Sequence, residues 1–223
     1  MINYTLKRSR RKTLTLYVRD GVVEVRAPMK TPVSAIDSFV ASKQKWIADK
    51  LAKLKEQSVQ RDSFSLDYGS LIAYRGERYA IEAREGDGAG FDGVCFFVPT
   101  GLYPDQIKAA CIQTYRQLAK HVLTEKTFLF GQQMSVTPAA VKISNARTRW
   151  GSCSARKSIN LSWHLVMADD DVIDYVVVHE LAHITELNHS GRFWAIVAGV
   201  LPDYRERRAR LRELQRRLSG ENW

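Results

Sequence analysis

His179-Glu180-Leu181-Ala182-His183 sets two imidazoles four residues apart, with a carboxylate next to the first. On a helix, residues four apart share a face and lie about 6 Å apart along the axis, so both rings can reach one ion at Zn–N distances near 2.0–2.1 Å. Glu180 then points its carboxylate to the side of that ion, where it can take a proton from a water without itself being a ligand. The chemistry implied is metal-assisted hydrolysis, with zinc as the ion, His179 and His183 as ligands and Glu180 as general base.

Two ligands leave a tetrahedral zinc one short if water is to hold the fourth position. His189 is the expected third ligand. An unbroken helix would carry it about 9 Å beyond His183 and onto another face, so the helix must end between them. Metzincins make this reversal at a glycine seven residues after the first histidine; that position here is Glu186, and Asn188 is the residue in the interval that best tolerates a left-handed turn. Glu186, Asp203 and Glu206 remain as competing carboxylate ligands. His121 and His164 are read as structural, and Cys153 lacks a basic partner that would make it a nucleophile.

These residues need elements to hold them. Asp169, Asp170 and Asp171 supply an N-cap and first-turn charge for a helix that begins near Val172 and carries the motif. Strands are expected at 140–144 and 159–166, flanking a turn-like segment at 149–154. Further helices run from Ser190 to about Val200 and from Asp203 to about Leu218, with Pro202 between them. Upstream, alternating residues from Tyr4 to Ala27 around Asp20-Gly21 predict a hairpin. Residues 33–56 have amphipathic helical spacing, short strands fall within 64–98, and Pro104 opens a long helix reaching about Phe130. The fold class is α+β: a β-rich unit with one helix over residues 1–100, then a catalytic domain over 101–223 with a small sheet and an active-site helix.

Composition limits the function classes. With 45% hydrophobic and 26% charged residues among 223, the chain is an ordinary globular protein rather than a disordered one. Lys7, Arg8, Arg10 and Arg11 break the first apolar run, leaving neither a signal peptide nor the roughly 20 apolar residues of a spanning helix, so a cytoplasmic protein without a membrane partner is expected. Three widely spaced cysteines, Cys95, Cys111 and Cys153, fit a reducing compartment. The net charge of +10 gathers at Lys7–Lys12 and Arg205–Arg217, which read either as solvated faces or as a nucleic-acid footprint.

Arg149-Trp150-Gly151-Ser152-Cys153-Ser154, Ile159-Asn160-Leu161-Ser162-Trp163, Asp174 to His183, Asn188-His189-Ser190 and Phe193-Trp194 closely resemble the YgjP-like metallopeptidase family. So do Arg8-Ser9-Arg10-Arg11-Lys12-Thr13 and Arg26-Ala27-Pro28. The resemblance implies a zincin-like domain with three histidine ligands, mapping onto His179, His183 and His189, and it favours His189 over the carboxylates. It implies hydrolysis of a peptide or an unfolded protein. In zincins a strand edge aligns the substrate, and Ile159–Leu165 is the expected edge here. Tyr204, Arg149 and His164 are available to stabilise an oxyanion, each with an equally good structural role. The alternative from another class is a zinc-stabilised nucleic-acid-binding protein, or a peptidase recruited to DNA through its basic patches.

Overall fold

The computed structural model describes residues 2–19 and 21–223, and the fold is α+β, with small sheets and six α-helices among those residues. The chain divides into two compact units, residues 1–64 with 219–222, and residues 65–218 with Trp223.

In the first unit, β1 (Thr5–Ser9) lies parallel to β3 (Val22–Pro28), and β2 (Thr15–Arg19) lies antiparallel to β3 on its other side. The predicted hairpin is β2–β3; Asp20 of its turn lies outside the described residues. Period-two alternation buries Val23, Val25 and Ala27 on one face of β3 and leaves Glu24 and Arg26 on the other, where Glu24 pairs with Lys7 and Arg26. The single helix expected at 33–56 is two, α1 (Val33–Ser42) and α2 (Gln44–Ser63), because Lys43 leaves helical geometry at ψ 10°. Ile36, Val40 and Ile47 close the core against Val18, Val23, Val25 and Ala27.

The second unit begins with a sheet of order β4-β5-β7-β6: β4 (Leu71–Tyr74), β5 (Glu77–Arg84), β6 (Gly90–Phe91) and β7 (Phe96–Pro99). Pro104 opens α3 (Pro104–Gln133), and the Gln106 side chain accepts from the Tyr103 N–H at 2.9 Å. The boundary expected near Gly101 therefore falls inside this unit. The reason is packing: Tyr115 of α3 donates to the Ala73 carbonyl at 2.6 Å and its ring lies 5.1 Å from that of Phe96, so α3 and this sheet share a core.

Then come β8 (Ala140–Ser144), β9 (Gly151–Cys153) and β10 (Ser158–Ser162), in the order β8-β10-β9. The turn expected at 149–154 thus contains a strand, and the strand expected to reach Val166 stops at Ser162 and gives way to a 3-10 helix, Trp163–Met167. A continuous apolar run does not distinguish a buried strand from a buried helical turn, and every residue from Leu161 to Ala168 is buried. Ile159 and Leu161 on one face of β10 are fully buried, as are Ile173 and Leu181 of α4 (Asp170–Ala182), which packs on β9. Helices α5 (Gly191–Val200) and α6 (Tyr204–Leu218) complete the unit. No helix among the described residues is long and apolar enough to cross a membrane.

Candidate metal centre

Helix α4 begins at Asp170, two residues before the expected start near Val172, with Asp169 at the N-cap position but no capping bond from its side chain, and it is fastened at that end by charge. Arg210 of α6 bonds Asp169 and Asp171, Arg207 reaches the Asp171 carbonyl at 3.0 Å, and Lys126 of α3 bonds Asp174 at 2.5 Å. Part of the Arg205–Arg217 cluster is therefore matched by carboxylates inside its own unit. At its other end α4 stops with His183, and the chain reverses through the bonds Ile184 N–H to Leu181 C=O and Glu186 N–H to Ala182 C=O. No residue from His183 to Ser190 has a positive φ; among the described residues the non-glycine ones that do are Arg75, Ser135 and Lys157. The left-handed turn expected at Asn188 is thus not used. Ser190 then caps α5, its side chain accepting from the Phe193 N–H at 3.3 Å.

This reversal carries His189 back over α4. One ring nitrogen from each of His179, His183 and His189 lies within 4.8 Å of the others, and the Nε2 atoms of His179 and His189 are 3.0 Å apart. A tetrahedral zinc with Zn–N near 2.05 Å sets its ligand nitrogens roughly 3.3 Å apart, so the donor set fits one ion. The Glu186 carbonyl lies 3.1 Å from His183 Nδ1, which orients that ring with Nε2 toward the cluster. Glu186 serves through its backbone, and neither it nor Asp203 or Glu206 joins the three imidazoles. Asp203 is occupied by Arg207 at 2.9 Å.

Burial first, then the other imidazoles, push the His179 pKa down to about 3, and the same causes lower that of His189. Both shifts favour the neutral ring, the form a metal requires. Phe193, fully buried, backs all three, with ring centroids 4.8, 4.5 and 4.7 Å from His179, His183 and His189. Among the described residues no fourth donor closes the set, unlike a structural zinc site.

Glu180 is 6% exposed, and burial raises its carboxyl pKa to about 7 while the nearby Arg149 guanidinium opposes the rise. Gly151 of β9 makes its position available: a Cβ there would stand 2.6 Å from Glu180 Cγ and 2.7 Å from Oε1. Trp150, Gly151, Tyr175, Val176, His179, Glu180 and Leu211 line a pocket of about 160 Å3 beside the carboxylate. The Cys153 thiol faces the same side, close enough for the charge of Glu180 to raise its pKa further than burial alone does.

Some expected positions shift. β10 is the central strand, paired on both sides, so it cannot take a further strand; β9 holds the edge nearer α4. His164 is buried in the 3-10 helix with Nδ1 3.1 Å from Ser162 Oγ, and Tyr204 stacks on Trp194 at 5.2 Å. His121 is exposed on α3. The roles of Gly151 and Phe193 carry no local sequence signal: the first lies in a strand distant from Glu180 in the chain, and the second reads as an ordinary apolar helix position.

The sequence profile described as "YgjP-like, metallopeptidase domain" matches residues 12–214. The crystal structure of the metallopeptidase zymogen abylysin of Pyrococcus abyssi is 21% identical, covering 42% of this chain and 90% of that one, with a TM-score of 0.36. That of Methanocaldococcus jannaschii jannalysin, also a metallopeptidase zymogen, is 19% identical, covering 43% and 94%, with a TM-score of 0.36. No curated protein matches significantly. With the profile spanning nearly the whole chain, this protein belongs to the YgjP-like metallopeptidase family.

Proposed function

We propose that this metallopeptidase uses zinc, held by His179, His183 and His189, and hydrolyses peptide bonds with Glu180 as general base. The observation that carries the reading is a buried carboxylate, its pKa raised by burial to about 7, next to three converging imidazoles that no fourth donor closes among the described residues. When bound, zinc supplies a Lewis acid that polarises the scissile carbonyl and makes water a better acid. The Glu180 carboxylate takes the proton from the attacking water and returns it to the leaving nitrogen; a base with a pKa near the working pH does both. The side chains of Val176 and Trp150 line the pocket beside that carboxylate, which is itself 6% exposed.

Substrate alignment falls to β9. Ser152 and Asn160 form the hydrogen-bonded pair of the β9–β10 ladder, flanked by Ser162 N–H to Trp150 C=O at 2.8 Å and Ser154 N–H to Ser158 C=O at 3.0 Å. The N–H and C=O groups of Gly151 and Cys153 therefore point away from β10, and an extended peptide can pair with them as an added strand.

The test compares native protein with Glu180→Gln for metal content and for cleavage of an unfolded protein. The expected outcome is about one zinc per chain in both and a loss of cleavage of at least roughly 10²-fold in the variant. Equal cleavage by the two proteins, or no metal in either, would overturn the reading.

A further inference from the structure

Of the seven arginines of α6, Arg205 donates to the Tyr204 hydroxyl, Arg216 pairs with Glu213 and Arg217 donates to the Met167 carbonyl, and the other four fall into two sets. Arg207 and Arg210 are matched by Asp203, Asp174, Asp169 and Asp171. Arg208 and Arg212, four residues apart and so on one face, form no ion pair or hydrogen bond among the described residues, and both are exposed. That face also carries Leu211, which lines the pocket beside Glu180, and Tyr204, stacked on Trp194. Arg208 sits 5.4 Å over the Trp194 ring, which is itself 5.9 Å from His179 and 5.8 Å from His189. The charges of Arg208 and Arg212 both reach Tyr175, on the pocket wall, where they act to lower its pKa against the larger effect of burial.

Two independent features thus meet at the cleft. One is a pocket of about 160 Å3 with largely apolar walls, and an apolar cavity of about 150 Å3 holds a benzene ring. The other is a pair of guanidiniums with no carboxylate of their own, whose planar forks match a carboxylate in two parallel bonds. We propose that the cleft selects peptides that place a Leu- or Phe-sized side chain between Trp150, Tyr175, Val176 and Leu211 and a carboxylate, from an acidic residue or from the chain end, against Arg208 and Arg212. This deepens the peptidase reading and rests on it. A single nucleic-acid strand suits the face less well: it needs a groove of cations tracking its backbone and open aromatic faces on which bases stack, whereas Trp194 and Tyr204 cover one another and Arg208 lies over Trp194.

The experiment measures binding of labelled peptides to zinc-loaded Glu180→Gln protein by fluorescence anisotropy, beside cleavage of the same peptides by the native protein. The peptides carry one Leu or Phe followed by two Glu, two Gln or two Lys, each made as a free acid and as a C-terminal amide. The Glu peptides are expected to bind about tenfold more tightly than the Gln peptides. That advantage disappears when Arg208→Gln and Arg212→Gln are added, and Arg208→Glu with Arg212→Glu transfers it to the Lys peptides, a reversal that misfolding cannot produce. If the free acid binds better than the amide whatever the side chains, and the arginine substitutions remove that difference, the carboxylate is the chain end and the proposal stands. Equal binding of Glu, Gln and Lys peptides, or an acidic preference unchanged in the double variant, overturns it. So does a single-stranded oligonucleotide that displaces the peptides and loses its own binding in the double variant. Cleavage without charge preference removes this inference and leaves the peptidase reading; charge-selective binding with no cleavage of any peptide does the reverse.

Discussion

Gly151 is where the smallest residue does something no larger one can. Its missing Cβ leaves the space that Glu180 occupies, and a methyl there would come within 3.0 Å of three Glu180 side-chain atoms. Since Glu180 is the flexible partner, Gly151→Ala displaces the carboxylate rather than the strand. A misplacement of about 1 Å in a catalytic group costs on the order of 10²-fold in rate, so kcat should fall by about that factor while KM and zinc content hold; steady-state kinetics with metal analysis checks this, and a fully active variant refutes it. His164 makes a second residue-scale case. Ser162 Oγ donates to the Ala146 carbonyl at 2.7 Å, so His164 Nδ1 must donate to Ser162, and its buried Nε2 has no partner. Burial, with Arg147 adding to it, lowers the pKa from 6.5 to about 4. The unfolded chain then takes up this proton before the folded one does. The associated stability is present above pH 6.5 and is lost as pH falls toward 4, amounting to at most about 3 kcal/mol. Urea midpoints of the metal-free protein at pH 7 and pH 4.5 should differ less in His164→Gln than in the native chain.

At the scale of elements, β9 is three residues long and bears both duties of a strand edge, holding the sheet through Ser152 and presenting Gly151 and Cys153 outward. Proline is tolerated in an edge strand where its missing N–H would face away from the ladder. Cys153→Pro should therefore keep the fold and the zinc yet lower kcat/KM about fivefold to tenfold, the worth of one hydrogen bond. Cys153→Ala, which keeps the N–H, is the control; an equal loss in both would assign the effect to the thiol. How far these elements were legible in sequence follows from the range of the signal. Helix α4, with His179, Glu180 and His183, is written within one turn of chain and its acidic start. His189 is favoured by its residue type and its place at a helix start while three carboxylates stay in competition, and the resemblance independently favours it over them. The edge expected at Ile159–Leu165 lies instead on the central strand β10, since sheet order is set by long-range pairing, and an apolar run marks the buried centre of a sheet rather than its rim. The reversal after His183 was expected at a left-handed Asn188, whereas i→i+3 and i→i+4 backbone bonds carry the chain round without one.

For the whole molecule, the net charge of +10 is a sum over groups with different fates. In the first unit Lys7 pairs with Glu24, Arg8 donates to the carbonyls of Pro28, Met29 and Thr31, and Arg11 bonds Thr15. In the second, Arg207 and Arg210 anchor α4. Composition sees such clusters but not their partners, and for the same reason it placed a boundary at Gly101, where strands give way to a helix, and missed the division of cores near residue 64. That division bears on metal removal. The three imidazoles all belong to the unit spanning residues 65–218. A ligand that binds only the folded state adds about 2.7 kcal/mol at a free concentration one hundred times its Kd. For a unit of this size that raises the melting temperature by roughly 5–10 °C. Stripping the protein with a chelator and restoring zinc should move the melting transition by this amount in the native chain and leave His183→Ala where it was. Hydrogen exchange locates the effect: zinc should slow the amides of residues 176–193, which carry the ligands and Phe193, and leave strands β2 and β3 unchanged. A shift of equal size in His183→Ala would mean that zinc binds elsewhere, and protection that omits residues 176–193 would remove the triad as its site.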